Sequence, residues 1–149
     1  MTTIDTERLR LRPWSRSDAP ALYELAKDPR IGMACGWRPF TRIDDAYDAL
    51  STVLAAPESY AVTLRESNEL VGAIALRMKA TDKRDVADLG YWTGSPYWGN
   101  GYATEAGRAI VDRAAHLGYA TLTLSYFEGN DGSRRVAHKL GFTWQGREE

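Results

Sequence analysis

The run Trp98-Gly99-Asn100-Gly101-Tyr102-Ala103-Thr104-Glu105-Ala106 is the part of this chain best suited to chemistry. Small residues at 99, 101 and 103 let backbone N–H groups approach a ligand without interference from Cβ atoms. Ala103, Ala106, Ile110, Val111, Ala114 and Leu117 follow at helical spacing, so the run reads as a loop that opens a helix. The N–H groups of a first helical turn lack intrahelical partners, and the helix dipole adds partial positive charge there. Such an end suits a phosphate or pyrophosphate. The dipole is worth only about 0.3–1 kcal/mol near a surface, so direct N–H hydrogen bonds must supply most of the affinity. A dinucleotide fingerprint would need glycine where Thr104 stands and an acidic residue about 20 positions on, and neither is present. A nucleoside-triphosphate loop would need Gly-Lys-Ser/Thr, which is also missing. Taken alone, the run fits equally well a Gly-rich turn that merely joins a strand to a helix.

A second run, Asn130-Asp131-Gly132-Ser133-Arg134-Arg135-Val136-Ala137-His138-Lys139-Leu140-Gly141-Phe142, follows the next strand pattern. The two runs together resemble the GNAT acetyltransferase superfamily, in particular its RimJ/RimL-type branch, which includes ribosomal-protein N-terminal acetyltransferases. That branch reads approximately Tyr-x-Gly-x-Gly-Tyr-Ala-Thr-Glu-Ala in the first run and Asn-x-x-Ser-x-Arg-Val-x-x-Lys-x-Gly-Phe in the second. The opening Thr6-Glu7-Arg8-Leu9-Arg10-Leu11-Arg12 and the segment Val71-Gly72-Ala73-Ile74 also fit, so the likeness covers nearly the whole chain. Two departures stand out. Trp98 occupies a position where the superfamily usually has Gln or Arg. The family pattern also runs on through another strand, whereas this sequence stops at Arg147-Glu148-Glu149.

The resemblance implies a single N-acetyltransferase domain over residues 1–149, C-terminally short. It implies transfer of an acetyl group from acetyl-coenzyme A to a primary amine, either a protein N-terminus or a small-molecule amine. The amine would attack the thioester directly in a ternary complex, which leaves Cys35 as a small apolar filler rather than a nucleophile. The loop from Gly99 through Asn100, Gly101, Tyr102 and Ala103 to Thr104, with Trp98, would bind the cofactor pyrophosphate. Leu89, Tyr91, Trp92 and Thr93 on the preceding strand would offer backbone partners to pantetheine. Asn130 and Ser133 match family positions that reach coenzyme A, and Ser133 could protonate the departing sulfur; helix capping is the other reading of both. Tyr126 is an alternative acid or a core aromatic. Arg135 and Lys139 would meet cofactor phosphates or remain solvated. Trp37 and Phe40, in an irregular aromatic stretch, would build the acceptor wall or pack over the sheet edge. Asp88 is the candidate base, acting directly or through a water, and the superfamily often carries an acidic residue at this strand position. Its alternative role is an ion pair with Arg77 or Arg84. A non-catalytic acyl-coenzyme A sensor or structural subunit is the competing function.

These residues need elements to hold them. Arg8 to Arg12 alternates charge and leucine and reads as a half-buried strand ended by Pro13. Ser17-Asp18 opens a helix with Ala21, Leu22, Leu25 and Ala26 on one face. Thr41, with Asp44 three residues on, starts a second helix carrying Ala46, Ala49, Leu50, Val53 and Leu54. Strands follow at Tyr60 to Arg65 and Leu70 to Met78, turned at Ser67-Asn68, then at Val86 to Trp92. In the last of these, residues 88, 90 and 92 share a face. The helix from Gly101 to Leu117 stops at Gly118. Tyr119 to Tyr126 is a strand, Asn130 or Asp131 caps a final helix, and Phe142-Thr143-Trp144 begins a strand. The order β, α, α, β, β, β, α, β, α, β gives an α/β (α+β) mixed sheet, mostly antiparallel, with helices on both faces. With its last strand apparently missing, the sheet would leave an open edge that invites self-association as a homodimer.

Composition narrows the classes further. Lys and Arg total 19 against 20 Asp and Glu, a formal net charge of −1, so no basic excess points to nucleic acid or an anionic membrane. The sequence Met1-Thr2-Thr3-Ile4-Asp5 lacks the pattern of a secretory signal, and no apolar run approaches the roughly 20 residues of a membrane span. One cysteine and two histidines make a zinc site unexpected. The expectation is a cytoplasmic, metal-free protein.

Overall fold

A computed structural model describes residues 2–31, 39–78, 86–124 and 131–142. Within them the strands are β1 (Ile4–Asp5), β2 (Leu9–Pro13), β3 (Ser59–Leu64), β4 (Leu70–Met78), β5 (Val86–Thr93) and β6 (Thr121–Leu124). The helices are α1 (Ala19–Ala26), α2 (Ile43–Ser51), α3 (Tyr102–His116) and α4 (Asp131–Lys139). The strands form one mixed sheet in the order β1-β2-β3-β4-β5-β6. Every pairing is antiparallel until β6 joins β5 in parallel. The chain reaches that parallel pair by crossing over through α3, as a parallel connection requires.

Strand alternation sends side chains to two cores. Leu9, Leu11, Tyr60, Val62, Ile74, Ala87 and Leu89 face α3, where Ala106, Ile110 and Ala114 complete one cluster. Ala61, Ala73 and Trp92 face the other way and pack with Ala19, Leu22, Ala26 and Ala46 of α1 and α2. Helices on both faces, and a mostly antiparallel sheet, agree with the order read from the sequence.

Several details differ from the sequence reading. A 3₁₀ turn at Arg16–Asp18 precedes α1, and its capping box runs from Ser15 to Asp18. Asp18 is buried beneath Arg12, which donates to both carboxylate oxygens at 2.9 and 2.8 Å. α1 starts at Ala19 with Asp18 as its N-cap, as expected, but Ala19 takes the inward position and Ala21 is exposed. At α2 the capping carboxylate is Asp45, not Asp44; its Oδ2 accepts from the N–H groups of Thr41 and Arg42 at 2.9 and 3.2 Å. The helix stops at Ser51, so Val53 lies in a 3₁₀ turn and is exposed. Leu117 is exposed as well, past the end of α3. Phe142 is outside any strand, while Thr143, Trp144 and the rest of the expected final strand lie outside the described residues. No helix among the described residues is long and apolar enough to cross a membrane.

One glycine sets how closely β4 meets β5. A Cβ built on Gly72 would lie 2.2 Å from the carbonyl oxygen of Trp92 and 3.0 Å from Cα of Thr93, both backbone atoms. Neither can swing aside as a side chain would. Gly72→Ala should therefore push the end of β5 away from β4, costing about 1–3 kcal/mol as overpacking does. A melting midpoint equal to that of the unchanged protein would show that the strands absorb the methyl group.

Candidate active site

The loop ahead of α3 has the backbone that its glycines suggest. Gly99 and Gly101 adopt left-handed conformations, with φ of +81° and +78°. Side-chain-bearing residues rarely take such angles, so the double turn needs glycine. Gly101 caps α3 without a side chain, and the helical ladder begins with Glu105 N–H donating to the Gly101 carbonyl at 3.0 Å. The N–H groups of Tyr102, Ala103 and Thr104 therefore have no intrahelical acceptor. Tyr102 and Ala103 also border a narrow cleft of about 10 Å³ between α3 and the end of β5. Tyr91, Trp92 and Thr93 line its other side. Among the described residues, the ladder between β5 and β6 covers Val86 to Leu89, and β5 continues to Thr93. The strand end, the cleft and the open helix terminus thus meet in one place.

A cluster not assigned from the sequence braces this loop. The Glu105 carboxylate accepts from the Thr6 hydroxyl, the Arg8 backbone N–H at 2.9 Å and Arg8 Nε at 2.7 Å. Burial pushes the Glu105 carboxyl up, but these hydrogen bonds and the Arg8 charge outweigh it and hold it below its ordinary range. Arg8 Nη1 donates to the Asn100 carbonyl at 2.8 Å, and the guanidinium lies 4.6 Å from the Tyr102 ring centre. Thr6 and Arg8 stood in the opening motif. What the sequence could not show is that the first strands lie next to residue 100.

β5 divides the remaining candidates between two faces. Tyr91 points toward the α3 side, and its phenol donates to the Ser133 hydroxyl of α4 at 3.0 Å. Asp88 alternates to the side of Trp92, α1 and α2. There its Oδ1 accepts from the Thr123 hydroxyl of β6 at 2.6 Å. The register sets Arg77 opposite Asp88, yet no ion pair joins them; the carboxylate uses the hydroxyl of the parallel neighbour instead. The expectation of an Asp88–Arg77 pair is corrected accordingly, and Arg84 lies outside the described residues. Asp88 and Tyr91 thus lie on opposite faces of β5, one on each side of the Leu89–Gly90 peptide.

Trp98 is exposed, and its indole N–H donates to the Thr93 carbonyl at 2.7 Å. The Arg30 guanidinium lies 5.2 Å from its ring centre. Asp28 accepts from Arg30 at 2.8 Å and from the Ser95 hydroxyl at 2.7 Å, which ties the exit of α1 to the turn before the loop. Arg30, with Ser95, holds the Asp28 carboxyl far below the usual carboxylate range. Phe40 packs into the core against α1 and α2, which favours the packing role over the acceptor wall for its ring. Leu89 and Trp92 are buried, so only their backbones are suited to a ligand. Arg135 and Lys139 are exposed on α4, and the Lys139 carbonyl accepts from Arg108 at 3.4 Å. Trp37, Asn130, Tyr126 and Cys35 lie outside the described residues. Among the described residues, no group of three or more His, Cys, Asp or Glu could hold a metal ion.

Known proteins are similar to this chain in sequence and fold. The family described as acetyltransferase (GNAT) domain matches residues 8–143. The chain is 27% identical over 156 residues to the uncharacterized N-acetyltransferase p20 of Bacillus licheniformis, covering 98% of this chain and 85% of that one. Among solved structures it is similar to a GNAT-family acetyltransferase from Bacillus anthracis, with TM-score 0.87, 23% identity, and 97% and 86% of the two chains covered. It is also similar to the Salmonella typhimurium acetyl transferase that modifies the N-terminal serine of ribosomal protein L7/L12, with TM-score 0.79, 20% identity, and 97% and 87% covered. At those identities the two structures establish the fold.

Proposed function

Since the chain belongs to the GNAT acetyltransferase family, transferring an acetyl group from acetyl-coenzyme A to an amine, we propose that the loop from Gly99 to Thr104 holds the cofactor pyrophosphate and that the amine attacks across β5. The observation that carries this reading is the meeting of the open α3 terminus, the cleft and the end of β5. The residues present fit the group. The left-handed glycines and the N–H groups of Tyr102, Ala103 and Thr104 offer donors to phosphate oxygens without a side chain in the way. The end of β5, Tyr91 to Thr93, which borders that narrow cleft, would offer strand-like backbone partners to an extended pantetheine arm. Asn130, Arg135 and Lys139 remain further candidates for cofactor contact, and Trp98 closes the turn.

Held this way, the thioester would lie beside β5 with its two faces served differently. Asp88, on the α1 and α2 side, would take a proton from the incoming ammonium directly or through a water. Ser133, on the α3 and α4 side and held by Tyr91, would give a proton to the sulfur as the C–S bond breaks. The acceptor is a primary amine. The likeness to an enzyme that modifies a protein N-terminal serine supports a protein N-terminus as one candidate, and small-molecule amines are the other.

Calorimetric titration with acetyl-coenzyme A, followed by thiol release against a panel of amines and N-terminal peptides, tests this directly. Gly101→Asp adds a carboxylate to the loop at a left-handed position, with its Cβ 3.5 Å from Arg8 Nη2. The variant should fold and lose measurable binding. Micromolar affinity retained in folded Gly101→Asp would place the pyrophosphate elsewhere.

A further inference from the structure

We propose that Arg8 is a positioning residue for the cofactor loop, one that aims the Asn100–Gly101 peptide and offsets the charge of Glu105. The inference rests on the pyrophosphate reading above and adds a residue far away in sequence that makes the loop competent.

The first part follows from peptide geometry. A trans peptide is planar, so its C=O and N–H point in opposite directions. Arg8 Nη1 holds the Asn100 carbonyl at 2.8 Å. The N–H of Gly101 is thereby turned to the other side, away from the N-terminal strands. Nothing in the loop itself enforces this. Gly99 and Gly101 flank Asn100, and glycine leaves a peptide plane free to rotate. The Asn100 side chain is engaged elsewhere, donating to the Tyr97 carbonyl at 2.9 Å. Released from Arg8, the peptide could flip and present a carbonyl oxygen where a donor is needed.

The second part is electrostatic. Glu105 lies in the first turn of α3, where a carboxylate competes with a phosphate for the same positive helix end. Its side chain is 18% exposed, so water screens it poorly. Arg8 Nε lies 2.7 Å from one oxygen, while Arg8 N–H and the Thr6 hydroxyl hold the other. Those contacts draw the carboxylate toward the N-terminal segment and neutralise it. Only a guanidinium can do all of this together. Nε reaches Glu105 and Nη1 reaches Asn100, while the flat face lies over Tyr102, the first residue of α3.

The rival role is a staple that fastens the N-terminal strands to α3 for stability alone. Titration of coenzyme A into the full chain and its variants separates the two. Arg8→Met should weaken binding by about 10–100-fold, the range for losing a charge-assisted hydrogen bond. Glu105→Gln placed in the Arg8→Met background should then regain several-fold affinity, because the uncompensated carboxylate is gone. A staple predicts no regain, since the double variant has lost still more of the fastening. Arg8→Lys covers the case in which Arg8→Met fails to fold. It keeps the charge and loses the fork, and should bind several-fold more weakly than the unchanged chain. Unchanged affinity in a folded Arg8 variant, or a double variant no tighter than Arg8→Met, overturns the assignment. Failure of the unchanged chain to bind coenzyme A is a distinct result: it removes the pyrophosphate reading itself.

Discussion

Asp88→Asn should lower turnover by about 10²–10⁴-fold while leaving coenzyme A affinity unchanged. The substitution keeps the shape of the side chain and can still accept from the Thr123 hydroxyl, so the clip between β5 and β6 survives. What it removes is basicity. The size of the loss depends on the acceptor. An α-amine titrates near 8 and a lysine-type amine near 10.4, so their neutral forms differ by about 2.4 units, or roughly 3 kcal/mol. An enzyme for protein N-termini would fall near the lower end of the range, and one for alkyl amines near the upper end. The acidic limb of the pH–rate profile should also move or vanish. Full turnover in Asp88→Asn, with the acidic limb in place, would reduce Asp88 to a strand clip. In that case Thr123→Val, which breaks the same hydrogen bond, would perturb the protein more than Asp88→Asn does.

The second large effect is expected at the hydroxyl pair. Ser133→Ala should cost about 10²–10³-fold in turnover at saturating acetyl-coenzyme A, within the range for a positioned acid. Tyr91→Phe removes the hydroxyl bonded to Ser133 at 3.0 Å and keeps the ring in the core. If the two hydroxyls act as a unit, the double variant should be little worse than Ser133→Ala. The defect should also depend on pH with a definite sign. A thiol ionises near 8.5, so above that value the departing sulfur needs no proton. The loss in Ser133→Ala should therefore shrink as pH rises. A loss constant across pH, or strictly multiplicative effects of the two substitutions, would make Ser133 a helix residue held by a tyrosine and not an acid.

The local periodicities were legible because each is imposed by residues close in sequence. Alternation at Leu9 and Leu11, the apolar stripe of Ala106, Ile110 and Ala114, and the stop at Gly118 all depend on neighbours within a turn or two. The cofactor loop belongs with these. Its glycines must be glycines because of their own backbone angles, so the motif alone marks them. Helix ends were less legible. Asp44 and Asp45 are equivalent as letters, and only the angle at which the chain enters α2 selects Asp45. Likewise Val53 and Leu117 continue an apolar pattern past a helix end and are exposed for that reason.

Family, loop and the order of elements from β2 to α4 were written in the sequence, since motif and periodicity are carried by contiguous residues; the two-residue strand Ile4–Asp5 was too short to show a period. Only the tertiary structure decided which distant residues meet. It set Arg8 against Asn100 and Glu105, joined Asp88 to Thr123 rather than Arg77, and put Asp88 and the Tyr91–Ser133 pair on opposite faces of β5. Those choices follow from sheet order and crossover. A hydrogen bond between residues about a hundred positions apart depends on how strands are stacked side by side, and no local spacing encodes that.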